Sequence, residues 1–199
     1  MSKRNKYLVF VLIIITCIIV NAQKNDTIFI KKDKFQKIFI DKNKNSDHYQ
    51  LISDFTDFNT LKNSSNVKNQ ILNSKWVQIQ SYKGEYFLYY PCDQINELKY
   101  VINGNQVQIK SSEIVTYNII SLKRRRQNIN IKYQEPNSQK QILLTIIPID
   151  QEKGIYKFIT FDGNLQYEKK MLQSDKYKNY NLIVNECTEN KTSELDFEH

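Results

Sequence analysis

The chain has 199 residues with 29 basic and 21 acidic side chains, a formal net charge of +8. One domain is the expectation at this length. The excess of positive charge is mild and makes no nucleic-acid footprint by itself, so no nucleic-acid partner is expected.

Lys3, Arg4 and Lys6 precede an apolar run of 14 residues, Tyr7–Val20, and Asn21-Ala22-Gln23 follows it. That order is the charged, apolar and small-residue sequence of a secretory leader. The run falls short of the roughly 20 residues of a spanning helix, so residues 1–22 are expected to be a signal peptide cleaved after Ala22. An uncleaved anchor is the alternative, and lipidation at Cys17 is disfavoured because Ile18-Ile19-Val20 continue the apolar run beyond it. The leader takes three basic residues with it, leaving a net +5. Export to a periplasmic or extracellular space follows. In such an oxidising compartment Cys92 and Cys187, the two cysteines beyond Cys17, are expected to form a disulfide.

Residues 23–74 read as an N-terminal extension. Thr27–Ile30 and Lys37–Ile40 are expected to be strands, and one helix is expected within 56–74 from the spacing of Phe55, Phe58, Leu61, Val67, Ile71 and Leu72. Between them, Asp41-Lys-Asn-Lys-Asn-Ser-Asp47 places oxygen donors at alternate positions, as a calcium loop begins. Ser46 stands where that loop needs glycine and Ile52 where it needs glutamate, so the segment reads as a polar surface loop.

Residues 75–187 read as an antiparallel β domain. Glycine is scarce, and Gly84, Gly104, Gly154 and Gly163 each fall between β-rich runs. Asn103-Gly104 and Asp162-Gly163 are hairpin signals. The runs Trp76–Ile79, Glu85–Tyr90, Glu113–Leu122, Asn128–Tyr133 and Ile155–Phe161 alternate with period two, whereas Gln141–Ile147 is nearly continuous apolar, as a strand buried on both faces would be. About eight strands at 8–12-residue spacing give the expected fold class: mainly β, an antiparallel up-and-down barrel or a β-sandwich, with one short N-terminal helix. After Ile183-Val184 the acidic segment 188–199 reads as a flexible tail.

A single tryptophan, Trp76, opening such a run resembles the lipocalin or calycin superfamily, with Ser74-Lys75 where those barrels usually carry Gly-x. The resemblance covers about 76–168. It implies a barrel closed by Trp76 and a small apolar ligand held in its cup.

Chemistry is sparse. Beyond the leader the histidines are His48 and His199, no Gly-x-Ser-x-Gly elbow is present, and a zinc site runs out of ligands once the cysteines pair. No enzyme activity and no cofactor are expected. Lys123, Arg124, Arg125 and Arg126 form the densest charge in the chain and are the candidate patch for an anionic partner, lipid, glycan or protein. The aromatic cluster Tyr82, Tyr86, Phe87, Tyr89 and Tyr90 offers a stacking platform, or simply two core faces of one strand.

Overall fold

The computed structural model describes residues 27–58, 73–92, 97–135, 138–187 and 194–198. The strands among them are β1 (Thr27–Lys32), β2 (Gln36–Asp41), β3 (Asn73–Tyr82), β4 (Glu85–Tyr90), β5 (Lys99–Asn103), β6 (Gln106–Lys110), β7 (Ile114–Arg125), β8 (Asn128–Gln134), β9 (Gln141–Asp150), β10 (Ile155–Asp162), β11 (Leu165–Gln173) and β12 (Asn181–Cys187). A helix, α1 (Asp47–Ser53), follows β2, and a 3₁₀ turn, Ser174–Asn179, precedes β12.

Eight strands close into an antiparallel ring: β3 pairs with β5, the chain meanders through β6, β7, β8, β9, β10 and β11, and β11 returns to β3. The barrel is therefore the outcome, not the sandwich. Where about eight strands were expected between Lys75 and Glu168, nine lie there in whole or part, because β4 leaves the ring. β3 is long enough to serve two sheets. Its first half, Asn73–Val77, pairs with β5 inside the ring, and its second half, Ile79–Tyr82, pairs with β4. From there a branch runs β4, β12, β2, β1, with β12 parallel to β4 and the other pairs antiparallel.

The hairpins form one residue later than the dipeptide signals suggest. Asn103 and Asp162 are the last paired residues of their strands, opposite Gln106 and Leu165, so each loop begins at the glycine. The β3–β4 loop, Lys83-Gly84, holds both residues at positive φ (52° and 77°), the twist that a two-residue hairpin needs.

Period-two alternation fills the ring. Ile129, Ile131 and Tyr133 of β8, Ile142, Leu144 and Ile146 of β9, and Tyr156 and Phe158 of β10 share one buried cluster with Trp76, Tyr100, Ile102, Val107 and Met171. A bulge between Ile119 and Ser121 turns Ile120 outward and lets both Ile119 and Leu122 face inward. β9 is not buried on both faces as its continuous apolar run suggests. Leu143, Thr145 and Ile147 are half-buried on the outside, which suits a barrel wall with one core face.

The outer face of β3, β5 and β11 makes a second core. Val77, Ile79, Val101 and Leu172 pack there with Leu88, Leu182 and Val184 from the branch and with Tyr49, Ile52, Phe55 and Phe58. The helix that covers this face lies at Asp47–Ser53, ahead of the expected 56–74. Ser46 caps it by accepting the Tyr49 amide, which a serine before three non-proline residues does well. Residues 54–58 are non-helical, and 59–72 lie outside the described residues. The Asp41–Asp47 segment is the lead into this cap, with the Asp41 carboxylate accepting from the Asn43 amide and the Ser46 hydroxyl.

Lys99 staples α1 to the barrel. It is 1% exposed, and its ammonium donates to the carbonyls of Leu51 (2.8 Å) and Asp54 (2.9 Å) while pairing with Glu97 (2.8 Å). Burial pulls its pKa down, partly offset by Glu97. Two backbone carbonyls and the Glu97 carboxylate surround the ammonium, so the group acts as a helix C-cap from another strand. Lys99→Met is expected to lower unfolding stability by about 3 kcal/mol, because Glu97 and two carbonyls lose their buried donor. Urea denaturation followed by Trp76 fluorescence measures it.

Candidate functional site

The implied cup is occupied by protein. Trp76 is fully buried, its indole N–H donating to Ser74 Oγ at 2.7 Å, and it meets Tyr156 and Phe158 edge-on at 5.0 and 5.1 Å. Tyr100 meets Phe158 edge-on at 5.2 Å, and Tyr117 lies tilted against Tyr133 at 4.9 Å. Six rings thus share the interior of an eight-strand ring, a size that side chains alone can fill.

The Lys123–Arg126 patch divides. Lys123, Arg124 and Arg125 end β7, and Arg126 sits at positive φ (55°) in the β7–β8 loop. Arg124 lies opposite inward-facing Ile129, and its charge acts on the Tyr156 phenol at the barrel mouth. Lys123 and Arg125, one residue either side, face outward. The four cations are exposed but do not share one face.

The aromatic platform resolves into two core faces. Tyr86, Leu88 and Tyr90 join the second core, while Phe87, Tyr89 and Tyr82 join a third cluster on the opposite face with Ile38 and Ile183. Cys92 and Cys187 are joined by a disulfide, their Cα atoms 5.6 Å apart, just past β4 and at the end of β12. His48 lies between Phe39 and Tyr90 rings, with Glu186 3.5 Å from its Nε2. Among the described residues no three His, Cys, Asp or Glu side chains gather as a metal site would require.

Two cavities carry charge. The smaller, about 180 Å³, lies between the end of α1 and the barrel, lined by Asp54, Asp57, Glu97, Lys99 and Lys110. Its charges are paired internally, Lys99 with Glu97 and Lys110 with Asp57 at 2.9 Å.

The larger, about 400 Å³, opens where the ring is weakest. β11 meets β3 through only three residue pairs, Gln173 opposite Trp76 to Met171 opposite Gln78. Beyond them the strands separate. Ile79–Tyr82 and Leu165–Lys170 then face each other across a slot in the barrel wall, with none of the strands β1–β12 between them. Gln78, Gln80, Lys157, Lys169 and Lys170 line the slot, and Glu168 is paired with Lys157 at 3.3 Å. Lys170 reaches across to Ser81 Oγ at 3.0 Å. The strand walls bring three lysines and Glu168, and the chain's own Asp196 and Glu198 complete the lining, so acids and bases balance across the occupied slot. The edge strand β11 is exposed over most of its length, Leu165 at 57%.

The slot is partly filled by the chain's own end. Residues 188–193 and 199 lie outside the described residues, but 194–198, expected to be loose, are seated. Glu198 bridges Ser81 in antiparallel register, its amide donating to the Ser81 carbonyl at 3.0 Å. The Glu198 carboxylate accepts the Gly84 amide on both oxygens at 3.2 Å. Phe197 packs on Tyr89 (4.7 Å) and Tyr82 (6.5 Å), and Leu195 joins the same cluster. Glu194 accepts from the Tyr89 hydroxyl and from Asn185 Nδ2. Sequence reasoning missed this site. The signal was the alternation of Glu194, Leu195, Asp196, Phe197 and Glu198, a strand pattern too short to stand out. Comparison with known protein families, with curated proteins and with solved structures finds no match to this chain.

Proposed function

We propose that the protein is an exported, non-enzymatic interaction module that binds an anionic partner on the outside of its barrel, at the lysine-lined slot between β3 and β11. The observation that carries this reading is the 400 Å³ cavity lined by Lys157, Lys169 and Lys170, with an acidic segment already at its rim. The lipocalin-like reading, an apolar ligand inside the ring, has the barrel and Trp76 in its favour, but six rings occupy the space it needs. The disulfide fits an oxidising compartment and supports export. Arginine and lysine at the β7–β8 loop are too divided between faces to grip one partner together.

Fluorescent poly-glutamate tests the reading. It is expected to bind with a salt-sensitive affinity that falls at least about tenfold in the Lys169→Glu/Lys170→Glu variant, while Arg125→Glu/Arg126→Glu leaves it within about twofold. Loss in the second variant alone would move the site to the β7–β8 loop and overturn the assignment. Saturable quenching of Trp76 by a fatty acid would return the function to the lumen.

A further inference from the structure

We infer that the free edge of β3 is a strand-addition site for an extended acidic segment of a partner protein, with the chain's own Glu194–Glu198 as its resident, replaceable occupant. The inference rests on the slot being the binding surface and names what that surface reads.

Three kinds of recognition meet there. The first is backbone pairing. Ile79–Tyr82 pairs with β4 on one side and carries, among the described residues, the single Glu198–Ser81 bridge on the other, which leaves room for a longer strand to engage. The second is side-chain depth. Residues 194–198 alternate exposed and half-buried, with Leu195 and Phe197 turned into the cluster of Tyr82, Tyr89, Phe87 and Ile183. Two apolar residues spaced two apart are what an added strand presents to one sheet face. The third is charge. The Glu198 carboxylate accepts the Gly84 amide, Asp196 and Glu198 line the same cavity as the three lysines, and the Lys170 ammonium lies 3.4 Å from the Glu198 carbonyl oxygen.

The partner that fits is an extended peptide of the pattern acidic–apolar–acidic–apolar–acidic. The resident segment makes one backbone bridge to β3, with Leu195 and Phe197 half-buried and Glu194 and Glu198 hydrogen-bonded to Tyr89, Asn185 and Gly84. No described residue of it pairs with the Leu165–Lys170 edge of the slot. A longer partner strand engages both edges and displaces it.

The experiment uses the full chain and a labelled peptide of its own sequence Thr192–His199. Tethering gives the resident segment an effective concentration in the millimolar range, so it competes strongly in the wild type. Phe197→Ala weakens the resident only. The variant is expected to bind the free peptide about tenfold more tightly than the wild type does. Peptide methylated at the Glu198 nitrogen, which keeps every charge and removes the backbone donor, is expected to lose at least about tenfold. Glu198→Ala is the second variant should Phe197→Ala fail to fold, with Trp76 fluorescence reporting folding. Equal binding of a scrambled peptide of the same composition would overturn strand addition while leaving the anionic-partner reading intact. Failure of both this peptide and poly-glutamate would overturn both. Concentration-dependent dimers of the wild type that Phe197→Ala abolishes would assign the edge to a second copy of the chain and overturn the partner.

Discussion

Reduction, or the paired Cys92→Ser/Cys187→Ser change, is expected to lower the unfolding free energy by about 4–5 kcal/mol, the chain-entropy value for a loop of this size. The cross-link spans 95 residues of sequence and encloses most of the ring. It also stands at a costly place in the topology. β4 and β12 pair in parallel through Asn181–Val184 and Phe87–Tyr90, a contact between strands that most of the barrel separates in sequence. Without the bridge, that pairing carries the full loop-closure cost. The effect is read by urea titration of oxidised and reduced protein. The slope of stability on denaturant should rise on reduction, since the freed unfolded chain exposes more surface. A fall in midpoint with no change in slope would place the effect in the folded state.

What the sequence made legible follows from range. The hairpins β5–β6 and β10–β11 were readable because glycine at a loop and alternating strands on either side are local facts. Which cysteines pair was readable because only Cys92 and Cys187 lie outside the N-terminal apolar run. Ring closure was not: it rests on three pairs between β3 and β11, about ninety residues apart, and no local pattern encodes them. The helix at Asp47–Ser53 went unread because the Asp41–Asp47 segment before it looks like a polar loop, although Ser46 supplies its cap. The helix expected within 56–74 falls almost wholly on 59–72, outside the described residues. Lys99 opens a strand and reads as an outward cation. Its burial depends on α1 presenting two carbonyls from about fifty residues upstream. Lys123–Arg126 stood out as a run, but strand alternation splits a run between faces, while the pair Lys169-Lys170 is too short to stand out and Lys157 joins it only through the β10–β11 pairing, opposite Lys170. The slot was invisible for the same reason as the ring closure that creates it.

Stability is expected to fall steeply above pH 10. Tyr49, Tyr100 and Tyr133 are buried, and burial holds the phenol pKa of each above its usual 10, most strongly at Tyr133 inside the ring and at Tyr49 under α1. Nearby charges push the same way at Tyr49, where Asp41 disfavours the phenolate, while a Thr160 hydrogen bond works against the shift at Tyr100. The folded pKa lies above the unfolded one, so the protective effect is complete below pH 10. It drains as pH rises from there toward the folded values, because the unfolded chain releases protons that the fold retains. These three alone give a slope approaching about 4 kcal/mol per pH unit, and Tyr89, held above its usual value by burial and then by Glu194, adds to it. Lys99 and Lys44 oppose it, since burial lowers their pKa and the fold then binds fewer protons than the unfolded chain over the window below 10.5. Two lysines already titrating in the fold cannot offset three phenols once the pH passes 10.5. Tyr133→Phe keeps the ring stack on Tyr117 and removes only the hydroxyl. It should cut the alkaline slope by about 1.4 kcal/mol per pH unit and leave stability at pH 7 nearly unchanged. Urea midpoints measured from pH 7 to 11.5 on wild type and variant decide it, and an unchanged slope in the variant would mean that the interior phenols ionise as freely as those in water.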